Sequence, residues 1–143
     1  MKKRIIIVLL SLCVGGCLSY YIFNNRVKAI SSSISYVTVK AFQIGYYSNY
    51  DNALRVADRN NGIVVNDNGM YRVYNAILYN NDCIKLISDY YDSIGLNYFI
   101  REIDVNSKFI DDISIYEDVL LKSSSISYSS LLLDILKVYG SYL

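Results

Sequence analysis

Few side chains in this chain are equipped for directed chemistry, and histidine is missing from all 143 residues. That removes the commonest general base at neutral pH and the commonest metal ligand. Ser/His/Asp and Cys/His catalytic sets are therefore excluded, and no metal-ligand spacing takes their place. The paired acids Asp111 and Asp112 fall on what reads as the solvated face of a helix, which gives a glycosidase dyad little footing. No catalytic residue, metal or cofactor is expected. What remains is recognition. Gln43 lies between Phe42 and Ile44 on one apolar strand and so points opposite to them; on another, Met70, Arg72 and Tyr74 alternate against Tyr71 and Val73. An amide that donates and accepts, a rigid fork of donors and a ring with a polar tip form a surface suited to holding a polar ligand.

Those residues need a sheet to present them, and the pattern supplies one. Residues 37–102 read as one unit played twice, strand–helix–strand and again strand–helix–strand, with Asp67-Asn68-Gly69 between the halves. An Asn-Gly pair between apolar strands is a strong hairpin signal. The fold class expected is α+β: a βαββαβ, ferredoxin-like, four-stranded antiparallel sheet with both helices on one face. The opposite face is then left open, with Gln43, Met70, Arg72 and Tyr74 on it. A Ser48-x-x-Asp51 cap predicts the start of the first helix, whose apolar set is Ala53, Leu54, Val56 and Ala57; Asn61-Gly62 ends it. The second helix is expected to bury Ile84, Ile87, Tyr91 and Ile94 and to stop at Gly95. Cys83, early in that helix, reads as a small buried apolar residue.

The flanks carry other expectations. Lys2, Lys3 and Arg4 precede an uncharged run over residues 5–23, which as a helix is roughly 28 Å long, close to the hydrocarbon core. The basic residues in front place the N-terminus in the cytoplasm and the rest outside, a single-pass protein of the cell membrane with an extracytoplasmic C-terminal domain. The same residues fit a second reading: Val14-Gly15-Gly16-Cys17 is like a lipoprotein signal, with Cys17 lipidated after cleavage. Residues 24–35 form a short tether, 36–104 the domain, and 105–143 a helical extension. Its apolar positions are Phe109, Ile110, Ile113, Tyr116, Val119 and Leu120, then Leu131, Leu132, Ile135, Leu136 and Tyr139, with six acids against three bases from Asp104 onward. This helix pair either packs on the domain or serves as a docking element for a protein partner. A net charge of +1 excludes the strong basic field a nucleic-acid binder uses. Sixteen tyrosines with abundant Asn, Ile and Ser are what an AT-rich coding sequence yields and carry no chemistry by themselves.

The run Phe42-Gln43-Ile44-Gly45-Tyr46-Tyr47-Ser48, then Asn52-Ala53, then Asn68-Gly69-Met70-Tyr71-Arg72-Val73 resembles the SPOR (sporulation-related repeat) domain, and Gly95 followed by residues 97–101 is similar to its last turn and strand. The resemblance covers about half the chain. It implies the βαββαβ fold and a non-catalytic module that binds peptidoglycan, specifically glycan strands stripped of their stem peptides, at division or sporulation septa. It also implies that the glycan lies across the open sheet face. By motif position Gln43, Arg72, Met70 and Ile100 would line that face, with Tyr46 near the end of the first strand and Tyr74 beside Arg72. The chain departs from the family pattern at Ala76-Ile77-Leu78, where Gly-Pro-Phe is usual, at Met70, where a ring is common, and at Tyr46, where Ser is frequent. The alternative function is a membrane-anchored protein–protein interaction scaffold that uses the sheet face or the C-terminal helices.

Overall fold

The computed structural model describes residues 35–143 and, in the N-terminal segment, Gly15, Cys17, Ser19 and Tyr20, which are helical. The expected anchor over residues 5–23 and the tether over 24–35 otherwise lie outside the described residues. Among those described, no helix is long and apolar enough to cross a membrane, and Cys17 is exposed with a free thiol. Ser35–Leu143 forms one compact unit.

In chain order that unit runs β1 (Tyr36–Tyr47), α1 (Tyr50–Asn60), β2 (Ile63–Asp67), β3 (Met70–Leu78), α2 (Asn81–Ile94), β4 (Phe99–Asn106), α3 (Ser107–Lys122) and α4 (Tyr128–Gly140), with a 3₁₀ turn at Ser125–Ser127. The strands stand in the order β2-β3-β1-β4, each pair antiparallel. The duplicated strand–helix–strand pattern thus closes into a single sheet. Asn68 and Gly69 both have positive φ, 54° and 83°, the backbone of a type I′ turn whose twist matches the strands it joins. Asn49, Asn80 and Asn106 open α1, α2 and α3, each accepting a backbone N–H on its side-chain oxygen. The first cap is therefore Asn49 rather than Ser48, because its amide reaches Asn52 N at 3.1 Å.

α1 and α2 share one face. Ala53 and Ala57 set α1 down on Val73, with Ile44, Tyr47, Val64 and Tyr71 around them. Because alanine makes that contact, the helix sits close and Leu54 beside it stays 37% exposed. α2 meets the sheet through Tyr91, whose ring packs edge-on against Phe42 at 5.6 Å. Ile94, in the last turn beyond that contact, is left 55% exposed.

The second face is not open along its whole length, contrary to the sequence expectation. Val39, Ala41, Ile77 and Val105 point away from α1 and α2 by register, yet none is more than 5% exposed. They belong to one core with Phe109, Ile113 and Leu120 of α3 and Leu132, Ile135 and Leu136 of α4. The reason lies in strand lengths. β2 pairs with β3 only as far as Ile63↔Tyr74, so residues 75–78 of β3 have no strand on that side. α4 lies against β3 instead. Glu117 of α3 fastens the arrangement, its Oε1 accepting the backbone N–H of Tyr79 at 2.8 Å and of Asn80 at 2.9 Å, at the start of α2. Of the two readings of the extension, its apolar stripe packs on the domain, except for Val119, which is 45% exposed. Asp111 and Asp112 are exposed on α3.

Candidate functional site

Two β-bulges shape the half of the second face that stays uncovered. Between β1 and β3 the register slips on either side of Gln43, passing over Asn75 on β3 and Ile44 on β1. Strict alternation would put Tyr46 on the opposite face from Gln43. The extra residue at Ile44 reverses that, and Tyr46 pairs with Arg72 while Gln43 pairs with Tyr74. Gln43, Tyr46 and Arg72 come together as a result.

Their contacts are specific. The Arg72 guanidinium lies over the Tyr46 ring with Cζ 4.2 Å from its centroid, donates from Nε to Asp67 Oδ2 at 2.6 Å, and donates from Nη1 to Gln43 Oε1 at 2.9 Å. A guanidinium only donates, so Gln43 must turn its oxygen inward and its NH₂ away. Two of the five Arg72 N–H groups are used this way, and three remain. Its side chain is 14% exposed, against 31% for Asp67, so the ion pair sits in a partly dry setting where it orients more than a surface pair does. Tyr46 caps the cluster and is itself 47% exposed.

The last strand widens the patch. Phe99 is the β4 partner of Gln43 and is 64% exposed. Arg101, two residues on, shares that face and brings Nη2 to 3.8 Å from Asp67 Oδ2. Two guanidinia thus converge on one carboxylate, and the patch carries an excess of one positive charge. Met70 sits half-buried opposite Asp67 at the hairpin end.

Of the residues predicted for the face, the structure brings together Gln43, Tyr46 and Arg72, while Met70 stands at the hairpin end of the same face. Tyr74 faces the same side, but it is 3% exposed and buried beneath the C-terminal helices; burial raises its pKa, as it does for neighbouring Tyr139 of α4. It has no surface to offer a ligand. Ile100 is on the opposite face, because it pairs with Phe42, and it packs against the helix-side core. Sequence reasoning passed over Phe99, Arg101 and Asp67. In 98–101, Tyr-Phe-Ile-Arg, both alternating sets contain an apolar residue, so hydrophobicity does not choose the face; the register does.

What the arrangement can do is bind. It offers N–H donors from Gln43 and Arg72, two aromatic faces at Tyr46 and Phe99, and a second cation at Arg101. No family model matches this chain, and no curated protein matches it. Among solved structures, it is similar to the solution structure of the peptidoglycan binding domain of the B. subtilis cell wall lytic enzyme CwlC, at 18% identity over 50% of this chain and 98% of that one, with a TM-score of 0.42.

Proposed function

We propose that this chain is a non-catalytic module that binds peptidoglycan glycan strands stripped of stem peptides, held at the cell membrane by its N-terminal segment and acting where the wall is remodelled during division or sporulation. The observation that carries the reading is the Gln43–Arg72–Tyr46 cluster, oriented before any ligand arrives and bordered by Phe99 and Arg101. A sugar strand presents hydroxyls, acetamido oxygens and C–H faces. The outward Gln43 NH₂ and remaining Arg72 N–H groups are donors for the oxygens, and the rings of Tyr46 and Phe99 are platforms for the C–H faces. Removing the stem peptide from the lactyl group leaves a carboxylate, for which the excess guanidinium is the matching charge. Binding by a pre-oriented cluster avoids much of the ordering cost that weakens flexible sites. The basic residues ahead of the uncharged run 5–23 support an external domain on a membrane anchor. Lipidation at Cys17 would give the same tethering.

The test is sedimentation. Residues 30–143 are expected to pellet with sacculi pretreated with an amidase and not with untreated ones, and Arg72→Ala is expected to lower the bound fraction about tenfold. Equal pelleting of both proteins, or none above a control protein, refutes the assignment.

A second reading has its own observation. Ile115 at 66%, Val119 at 45% and Ile126 at 92% exposure form an apolar set on α3 and the turn after it, as a docking scaffold would. If Ile115→Ser with Val119→Ser abolishes septal localisation of the full chain while Arg72→Ala spares it, that reading replaces the first.

A further inference from the structure

The outer face of α3 carries a second pattern, distinct from the stripe that packs on the sheet. Lys108, Asp112, Ile115, Val119 and Lys122 follow one another at alternating intervals of four and three residues. That spacing sets them in one line along the helix. At about 100° per residue the line runs roughly 130° around the axis from the buried Phe109, Ile113, Glu117 and Leu120, and all five of its members are exposed. Glu117 ties α3 to the backbone of Tyr79 and Asn80, so the outer face has a fixed direction.

Alternating four-three spacing is the seam of a coiled coil, and the chemistry along it decides what fits. Neither Asp112 nor Lys122 is in an ion pair among the described residues. Tyr142 donates to Asp112 Oδ2 at 2.5 Å, which holds the carboxylate in place and leaves its other oxygen for an incoming cation. Across a two-fold axis, an antiparallel copy of the helix sets Asp112 opposite Lys122 and Ile115 opposite Val119, each pairing occurring twice. The apolar pairs fall in the middle and the ion pairs close the ends. Parallel docking would set Asp112 on Asp112 and Lys122 on Lys122. Sliding the antiparallel pair by one heptad either way buries a charge against an apolar residue, Asp112 on Ile115 or Lys122 on Val119. One register alone is self-complementary. Asp118 lies at the rim, about 80° from the line, where water screens it from its own copy.

We propose that the outer face of α3 docks on a second copy of this chain as an antiparallel, two-fold helix pair. The proposal is independent of glycan binding, and it gives the exposed Ile115 and Val119 a defined occupant. The helix makes only about four turns. The dimer is therefore weak in solution, with a Kd near 100 μM expected, and it gains from any tether that holds two copies together.

The experiment cross-links the full-length chain, at about 0.3 mM in detergent solution, with a carbodiimide. This reagent joins a lysine amine directly to a carboxylate in contact with it. Within one helix Asp112 and Lys122 are about 15 Å apart along the axis, so a bond between them reports two copies. A dimer whose linked peptides join Asp112 to Lys122 is expected. Ile115→Ser with Val119→Ser is expected to cut its yield about tenfold, and Arg72→Ala to leave it unchanged. Asp112→Lys and Lys122→Asp, both at exposed positions, are each expected to abolish the dimer alone and to restore it when mixed, because opposite charges then meet at both ends. Absence of the Asp112–Lys122 link, a yield that survives the paired serine changes, or a mixture that stays monomeric would each overturn the proposal, and none of them bears on the sheet face.

Discussion

Gln43 Oε1 and Arg72 Nη1 meet at 2.9 Å across β1 and β3, although their residues are not direct partners in the ladder: Gln43 pairs with Tyr74, and Arg72 with Tyr46. The diagonal bond needs only alternation, since Arg72 lies two residues from Tyr74, the partner of Gln43, on the same face, and it leaves the Gln43 NH₂ as the outward group. The atom that orients the cluster and the atoms open to the proposed glycan are therefore different atoms of one amide.

That separation makes Gln43→Glu informative. A carboxylate keeps an oxygen on Arg72 and adds charge attraction, so stability is expected to hold or rise by about 0.5 kcal/mol. The same change removes the outward donors and cancels the excess positive charge of the patch. Binding to denuded glycan is expected to fall about tenfold, read by sacculus pelleting beside a urea melt. A variant that binds as well as the parent would show that the amide does not touch the ligand.

Glu117 gives a pH signature. It is 3% exposed, and burial raises its pKa, with the N–H groups of Asn80 and Tyr79 pulling the other way. A carboxyl whose folded pKa lies above its unfolded value, about 4.3, holds more protons when folded. Its contribution to stability is then fully present below the unfolded pKa and is lost as pH rises through the folded one. Glu117→Gln keeps an acceptor for both N–H groups and cannot ionise. The urea midpoint of the parent, relative to that variant, is expected to decline as pH rises above the unfolded value of about 4.3. A flat difference would mean that the backbone hydrogen bonds cancel the effect of burial, and a rising one that they outweigh it.

The sheet and its two flanking helices were legible because their signals are local: alternation in β1 and β3, the Asn68-Gly69 turn, and the stops at Asn61 and Gly95. The placing of Gln43 and Arg72 on one face followed from alternation alone. Tyr46 joins them only through the Ile44 bulge, which periodicity does not announce, and the family motif put Ile100 where the register puts Phe99. The burial of Tyr74 is a tertiary effect. It depends on β2 being only five residues long, which leaves an edge for α4 to cover. The burial of Glu117 carries no local signal, because its partners are backbone N–H groups 37 and 38 residues away.

The same packing governs what truncation does. Removing residues 107–143 takes away Phe109, Ile113, Leu120, Leu132, Ile135 and Leu136, all at most 3% exposed. Large apolar side chains contribute about 1.5–3 kcal/mol each when buried. The loss is on the order of 10 kcal/mol, comparable to the whole stability of a domain. The truncated chain is expected to lack a cooperative thermal transition and to be digested by protease under conditions that spare the full-length protein. A folded truncation product would show that the βαββαβ sheet is self-sufficient and the extension an accessory.

Cys83 reports on that interface without any mutation. It is fully buried in α2, and its Sγ donates to Glu117 O at 3.4 Å. Burial first, and then the Glu117 carboxylate, push its thiol up to about 12. Alkylation proceeds through the thiolate, so at pH 8 both access and ionisation protect it. Iodoacetamide is expected to spare Cys83 in the folded chain and to modify it in urea, reaching it only as fast as α3 detaches or the unit unfolds. Peptide-level mass spectrometry follows the site. If Cys83 reacts without denaturant at its rate in urea, α3 is not seated on α2 in solution, and the covered half of the sheet face is exposed with it.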